Sequence, residues 1–157
     1  MNDAQLISIN EINQEFNQYL DYFKELLKTE KGSKVLIIED DPFMQLIIKD
    51  AVLDYNPDIH CFLASSKEEA LALLEKVPCD LAISDYFING IHTGLDLCND
   101  IQFLYPGIKC LIISKMKSYE YQELARYSLL TAPEFIEKPV SKKTIKNYLS
   151  SLFGGSQ

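Results

Sequence analysis

Charged or hydroxyl side chains follow short runs of strand-forming, mostly apolar residues at four places in the sequence. Glu39-Asp40 follows residues 35–38, Asp85 follows 80–84, Ser114 follows 108–113, and Lys138 follows 134–137. Carboxylates brought together in this way repel one another. Mg²⁺ prefers oxygen ligands and keeps waters beside phosphoryl groups, so it relieves that repulsion better than a single lysine does. A lysine and a hydroxyl beside such a cluster can bind phosphoryl oxygens. The set is therefore suited to accepting a phosphoryl group on an aspartate.

These residues can act together only if the apolar runs are strands that end at one edge of a sheet. Five short runs rich in β-forming residues alternate with helical patterns, at 35–38, 59–64, 80–84, 108–113 and 134–137. This alternation predicts an α/β fold with a doubly wound, five-stranded parallel sheet that is covered on both faces. The flavodoxin-like strand order 2-1-3-4-5 places strands 1 and 3 side by side at the crevice where such folds bind ligands.

Helical patterns with capping residues fill the segments between these runs. The first predicted helix begins at Pro42, after the cap Asp41, and the second follows a capping box at 65–68 and runs to about 76. The other three cover 94 to about 105, about 118 to about 130, and the stretch from the cap Ser141 to about 153.

Residues 1–32 form a separate amphipathic segment before the alternating pattern of 33–153 and a short tail, 154–157, that we expect to be disordered. Apolar residues recur in this segment at alternating spacings of three and four, as in a heptad seam: Ile9, Ile12, Phe16, Tyr19, Phe23 and Leu26. The pattern predicts a helix that ends near Gly32. The helix either pairs with a second copy as a coiled coil through residues 9–27 or packs on the domain's own surface. The exposed stripe favours pairing, whereas the aromatic side chains suit a broad packing surface.

Composition excludes several classes of function. Lys and Arg number 15 against 23 Asp and Glu, which gives a net charge of −8. That charge argues against a sequence-independent nucleic-acid binder and against a polybasic membrane anchor. The start of the chain lacks the pattern of a signal peptide and no apolar run is long enough to span a membrane, so we expect a cytoplasmic protein. The four cysteines form no CxxC pair and are expected to be reduced, partly buried thiols.

Four motifs, in order and at suitable separations, resemble those of response-regulator receiver domains of two-component signalling: VLIIEDDP, DLAISDYFINGIHTGLDL, CLIIS and FIEKP. The resemblance covers residues 35–153 and implies Mg²⁺ as the cofactor. It implies that Asp85 is the phosphoacceptor. Asp40 would bind Mg²⁺ directly together with Asp85, Phe87 would bind it through its backbone carbonyl, and Glu39 would act through water.

The resemblance also implies a switch and a lysine contact. Ser114 would be the switch hydroxyl that turns toward the phosphoryl group, Phe135 the switch aromatic, and Lys138 the lysine that contacts the phosphoryl group and precedes a cis peptide bond at Pro139. One departure from the family is Lys115, where a small residue is typical. Its long side chain could obstruct the pocket or add a second cation.

The function implied is a phosphorylation-switched signalling module, not a metabolic enzyme, that catalyses only its own phosphorylation and dephosphorylation. A sensor histidine kinase or a phosphotransfer protein would donate the phosphoryl group, and output would pass to a downstream protein through the face formed by the last two helices and the fifth strand. A phosphorylation-independent interaction scaffold is the alternative. A Mg²⁺-dependent phosphohydrolase is disfavoured because Phe87 stands where that class needs a second aspartate. A flavin mononucleotide protein is disfavoured because no phosphate-binding loop follows the first strand.

Overall fold

A computed structural model of the protein describes residues 9–29, 32–128 and 130–154, with the side chains of residues 11–23 in the first helix. The elements in chain order are α1 (Ile9–Thr29), β1 (Lys34–Ile38), α2 (Pro42–Tyr55), β2 (His60–Ala64), α3 (Lys67–Lys76), β3 (Leu81–Ser84), α4 (Gly94–Leu104), β4 (Lys109–Ser114), α5 (Ser118–Ala125), β5 (Glu134–Glu137) and α6 (Lys142–Phe153).

The sheet confirms the predicted fold. Its five strands are all parallel, in the order β2-β1-β3-β4-β5. β1 is fully buried because helices cover both faces of the sheet. Leu36 and Ile38 pack into one apolar cluster with residues of α3, α4 and α5. Val35 and Ile37 pack into the other with residues of α2 and α6. The continuous apolar runs of the sequence follow from this double burial.

Caps at the helix starts fix where the chain leaves the sheet. Asp41 accepts a hydrogen bond from the amide of Phe43 and caps α2, with Pro42 in the first turn, as predicted. Ser66 caps α3 by accepting from the amide of Glu69, one residue later than the predicted capping box. The segments that follow β1 and β2 therefore enter their helices within a few residues of the sheet edge, whereas nine residues separate β3 from α4.

One helix is shorter than predicted. α5 ends at Ala125, whereas the sequence pattern continued to about Leu130. The chain turns after Ala125, with the amide of Ser128 donating to the carbonyl of Ala125. No glycine or proline marks this end, so the helical pattern gave no stop signal. Of the predicted tail, only Gly154, the C-cap of α6, lies within the described residues.

The predicted N-terminal helix is present as α1, which ends at Thr29, before Gly32. Its described side chains are exposed except for half-buried Leu20. Phe16 is 60% exposed and Tyr19 59%, so the described part of the domain does not cover the apolar stripe. Asp21 lies 3.8 Å from the ammonium of Lys76 in α3. In the part of the chain that the structure describes, no helix is long and apolar enough to cross a membrane.

Candidate functional site

Backbone hydrogen bonds that continue past the strand ends hold the predicted site residues at one edge of the sheet. The amide of Asp85 donates to the carbonyl of Ile38 at 3.0 Å. The amide of Lys138 donates to the carbonyl of Ser114 at 2.7 Å, one step beyond the last β4–β5 pair. The amide of Glu39 likewise donates to the carbonyl of Ala64 of β2. The sheet therefore determines where these backbones lie.

The ammonium of Lys138 joins two of the predicted carboxylates. Its Nζ lies 2.9 Å from Oδ2 of Asp85 and 3.0 Å from Oε2 of Glu39. All three side chains are nearly buried, with 6%, 10% and 2% of their surface exposed. The residues come from three separate segments, and Glu39 and Lys138 are 99 positions apart in sequence. The structure thus brings together a buried cation and two carboxylates that belong to neighbouring strands.

Burial and charge act in opposite directions on these groups. Burial raises the pKa of Glu39, and hydrogen bonds from Lys138 and from the amide of Asp41 offset that rise only in part. Burial by itself lowers the pKa of Lys138, but hydrogen bonds to Asp85 and Glu39 outweigh it, and the pKa lies above its ordinary value. Lys138 is therefore protonated at neutral pH and supplies a permanent positive charge.

Asp40 joins the buried pair to form a candidate metal centre. One carboxylate oxygen from each of Glu39, Asp40 and Asp85 lies within 4.8 Å of the other two. Asp40 is exposed, whereas the other two carboxylates are buried, so the cluster opens to solvent on one side. Opposite oxygen ligands of octahedral Mg²⁺ are about 4.2 Å apart. The spacing and the all-oxygen donor set therefore fit Mg²⁺, with waters on the open side.

The loop after Asp85 is ordered by its own carboxylate and by a helix start. Oδ1 of Asp85 accepts a hydrogen bond from the amide of Phe87 at 3.2 Å. The amide of Gly94, the first residue of α4, donates to the carbonyl of Tyr86 at 2.7 Å. Phe87 itself is 56% exposed. The two oxygens of Asp85 thus have different partners, one a backbone amide and the other Lys138.

The two predicted switch residues lie on the β4–β5 side of the site. Ser114 is fully buried, and its Oγ accepts a hydrogen bond from the amide of Met116 at 3.3 Å. Phe135 is half-buried, and its ring stacks on the ring of Tyr121 with centroids 4.5 Å apart and planes 12° apart. The predicted cis peptide bond between Lys138 and Pro139 is present.

Two residues whose side chains help to hold the site together were not predicted from the sequence. Nε2 of Gln45 donates to the carbonyls of Glu39 and Ala64, at 2.8 and 3.0 Å, and so fixes the backbone where β1 and β2 end. The hydroxyl of Tyr121 donates to the carbonyl of Pro133 at 2.6 Å and orients the ring on which Phe135 stacks. For Gln45 the only signal was a polar residue one turn into α2. For Tyr121 there was no such signal.

Comparison with known proteins agrees with this geometry. The family model of the response regulator receiver domain matches residues 35–150. The probable C4-dicarboxylate response regulator DctR of Bacillus subtilis (strain 168) is 27% identical over 119 residues. That match covers 76% of this chain and 51% of the relative, so the chain spans about half the length of this curated relative.

Solved structures share the fold. The chemotaxis protein CheY4 of Vibrio cholerae has a TM-score of 0.68 and 21% identity, over 78% of this chain and 100% of that chain. A CheY-like response regulator receiver domain protein of Methanospirillum hungatei JF-1 has a TM-score of 0.67 and 21% identity, over 77% and 93% of the two chains. These structures match the five-stranded parallel sheet and its covering helices.

Proposed function

The chain belongs to the response regulator receiver domain family, and from that premise we propose that it accepts a phosphoryl group on Asp85 in a Mg²⁺-dependent reaction. Receiver domains of two-component response regulators act as switches, not as metabolic enzymes. The observation that carries the proposal is the contact of Lys138 with both Asp85 and Glu39 beside a three-carboxylate cluster. This is an acceptor, a phosphoryl-binding cation and a candidate metal centre in one pocket.

The donor in this proposal is a phosphohistidine of a sensor histidine kinase or a phosphotransfer protein. A carboxylate oxygen of Asp85 forms the new O–P bond while the P–N bond to the imidazole breaks, and the imidazole nitrogen keeps the electron pair and takes a proton. Mg²⁺, when bound, would neutralise charge on the phosphoryl oxygens. Asp40 and the carbonyl of Phe87 would hold the ion directly, and Glu39 through water. Lys138 orients the acceptor and pairs with a phosphoryl oxygen.

The switch in this proposal runs from Ser114 to Phe135. Within the described residues, the one hydrogen bond of Ser114 Oγ is the neutral one that it accepts from the amide of Met116. That bond does not use the hydroxyl proton, for which a phosphoryl oxygen is a charged acceptor. Movement of Ser114 toward Asp85 would free space beside β5, and Phe135 would shift against Tyr121. The relative populations of the conformations of the face formed by α5, β5 and α6 then change. This face is the surface offered to a downstream protein.

We also propose that α1 pairs with α1 of a second copy of the chain as a two-stranded coiled coil. Ile12, Phe16 and Tyr19 are each more than half exposed, on one stripe of the helix. Exposure of this apolar stripe to water is unfavourable, so its burial against a second copy is favoured.

Phosphoryl incorporation from phosphoramidate, measured by intact mass with and without Mg²⁺, tests the acceptor. The wild type should gain one phosphate only with Mg²⁺, and Asp85→Asn should gain none. Asp41→Asn is the matched control, because Asn also caps a helix and Asp41 lies outside the three-carboxylate cluster. A folded protein that gains no phosphate and binds no Mg²⁺ would instead support the phosphorylation-independent scaffold.

A further inference from the structure

A second lysine, Lys115, shares a cavity with Lys138. Lys115 directly follows Ser114 and is exposed. It lines a cavity of about 420 Å³ together with Lys138. The remaining lining residues are apolar: Met44, Ile47, Pro139 and Val140. Asp85 is not among these lining residues, and Lys138, whose ammonium contacts Asp85, is the residue that connects the cavity to the proposed acceptor.

The two lysines differ in whether they are already paired. Lys138 is bound to Asp85 and Glu39. Lys115 makes no hydrogen bond or ion pair with any residue in the described ranges of the chain. Lys117, two residues later in the same loop, is paired with Glu137 at 2.6 Å. Of these three cations, Lys115 is the one whose charge is not already used by a neighbouring carboxylate.

The proposed reaction adds a negative charge that such a cation would neutralise. Before phosphorylation, the three carboxylates of Glu39, Asp40 and Asp85 are balanced by Lys138 and a divalent ion. Conversion of Asp85 to an aspartyl phosphate replaces one negative charge by about two, because a phosphoryl group is largely dianionic at neutral pH. The phosphorylated site is then about one charge too negative, and one further lysine restores neutrality.

We propose that Lys115 is a second phosphoryl-contacting residue, whose ammonium pairs with a phosphoryl oxygen on Asp85 and so stabilises the phosphorylated state selectively. This inference rests on the proposed function of Asp85. Lys115 makes no contact with the unphosphorylated carboxylates, so its contribution arises only once the extra negative charge is present. A side chain that merely blocked the cavity would have the opposite effect, since its removal would ease entry of the phosphoryl group.

Binding of beryllofluoride with Mg²⁺ to the full chain, followed by ¹⁹F NMR, tests this inference. Beryllofluoride adds one negative charge to an aspartate, as a phosphoryl group does. Lys115→Met should weaken its binding about three- to tenfold, and Lys115→Arg should restore it to within about twofold. Lys117→Met, a matched loss of charge in the same loop, should change it less than about twofold. The deficit of Lys115→Met should shrink in 0.5 M salt.

The possible outcomes separate this inference from the function on which it rests. If the wild type binds beryllofluoride but Lys115→Met binds it equally well or more tightly, Lys115 is not a phosphoryl contact. Equal losses in Lys115→Met and Lys117→Met would also overturn the inference, because they would reflect overall charge alone. If the wild type shows no Mg²⁺-dependent binding that Asp85→Asn abolishes, the proposed function itself fails. Mg²⁺ binding without beryllofluoride, measured in parallel, should be no weaker in Lys115→Met than in the wild type.

Discussion

At the scale of single residues, Lys138 links the chemistry of the site to its stability. Its ammonium lies between two carboxylates that are almost fully buried. A buried carboxylate is costly unless a cation or hydrogen-bond donors compensate it. The same contact therefore holds the proposed acceptor in place and compensates the charge of two buried carboxylates.

Replacement of Lys138 by Met should lower the free energy of unfolding by about 2 kcal/mol in the absence of Mg²⁺. The loss arises because Glu39 and Asp85 then face each other without a cation. Urea unfolding measures it, and Mg²⁺ should recover part of the loss by binding the folded state. Lys142→Met is the control, since the exposed Lys142–Asp50 pair should contribute less than about 1 kcal/mol. A Lys138 loss no larger than that of the control would contradict the role given to the buried contact.

The described thiols should react slowly in the native protein. Burial raises the pKa of Cys61 to about 11 and that of Cys79 to about 12. At pH 8 the reactive thiolate of Cys61 is then only about one part in a thousand, whereas a free thiol of pKa ~8.5 is roughly one quarter ionised. Ellman's reagent should label native Cys61 far more slowly than glutathione, with a rate that rises about tenfold per pH unit up to pH 10. A native thiol that reacts within seconds at pH 8 would be inconsistent with this burial.

At the scale of elements, the loop between β3 and α4 depends on the close approach of two backbone segments. A Cβ on Gly94 would overlap the backbone carbonyl oxygen of Asp85. The glycine is needed for this contact and not for a positive φ, which Gly94 does not have. The absence of a side chain at Gly94 therefore allows the start of α4 to lie close to Asp85, the proposed acceptor.

Gly94→Ala should destabilise the domain by about 2 kcal/mol and reduce phosphoryl incorporation, because the added methyl group forces Asp85 or α4 to move. Gly107→Ala is the matched control, since a Cβ at Gly107 meets no atom within 4 Å. Its effect on thermal unfolding should stay within about 0.5 kcal/mol. Equal stability and equal incorporation in the two variants would show that the contact between Gly94 and Asp85 does not constrain the site.

The elements also show which parts of the structure are readable from sequence. The central strands β1, β3 and β4 were predicted because continuous apolar runs indicate burial on both faces. The strand order 2-1-3-4-5 was predicted as one of the two common orders of a doubly wound parallel sheet. The edge that holds Glu39, Asp85 and Lys138 was predicted because these residues stand directly after the runs. Side-chain directions were not: the contacts of Gln45 and Tyr121 depend on how a helix rotates against the sheet. The end of α5 was placed too late because the turn after Ala125 contains no helix-breaking residue.

At the scale of the whole molecule, the α/β domain and α1 differ in how they bury apolar surface. The domain covers both faces of its sheet. In α1, Phe16 is 60% exposed, although the helix carries a regular apolar stripe. A helix of this kind gains most of its stability from packing against another element. The assembly of two chains is the arrangement that would supply such packing.

Sedimentation velocity at about 100 µM should therefore show a dimer. Phe16→Glu should convert it to a monomer, because a charge in the seam of a two-stranded coil is left unpaired. Gln14→Glu, on the polar side of α1, should leave the dimer intact and controls for added negative charge. A wild-type monomer at this concentration would mean that α1 does not pair with a second copy, and attention would turn to a different protein as its partner.

The most direct test of the central claim is to locate the phosphoryl group on the chain. After phosphorylation in Mg²⁺, borohydride reduction converts an aspartyl phosphate to homoserine, and tandem mass spectrometry of the peptides identifies the position. We expect homoserine at position 85 and at no other aspartate. Homoserine at Asp40 or Asp41, or a phosphate that borohydride does not convert and that maps to His92 in the loop after Asp85, would contradict it.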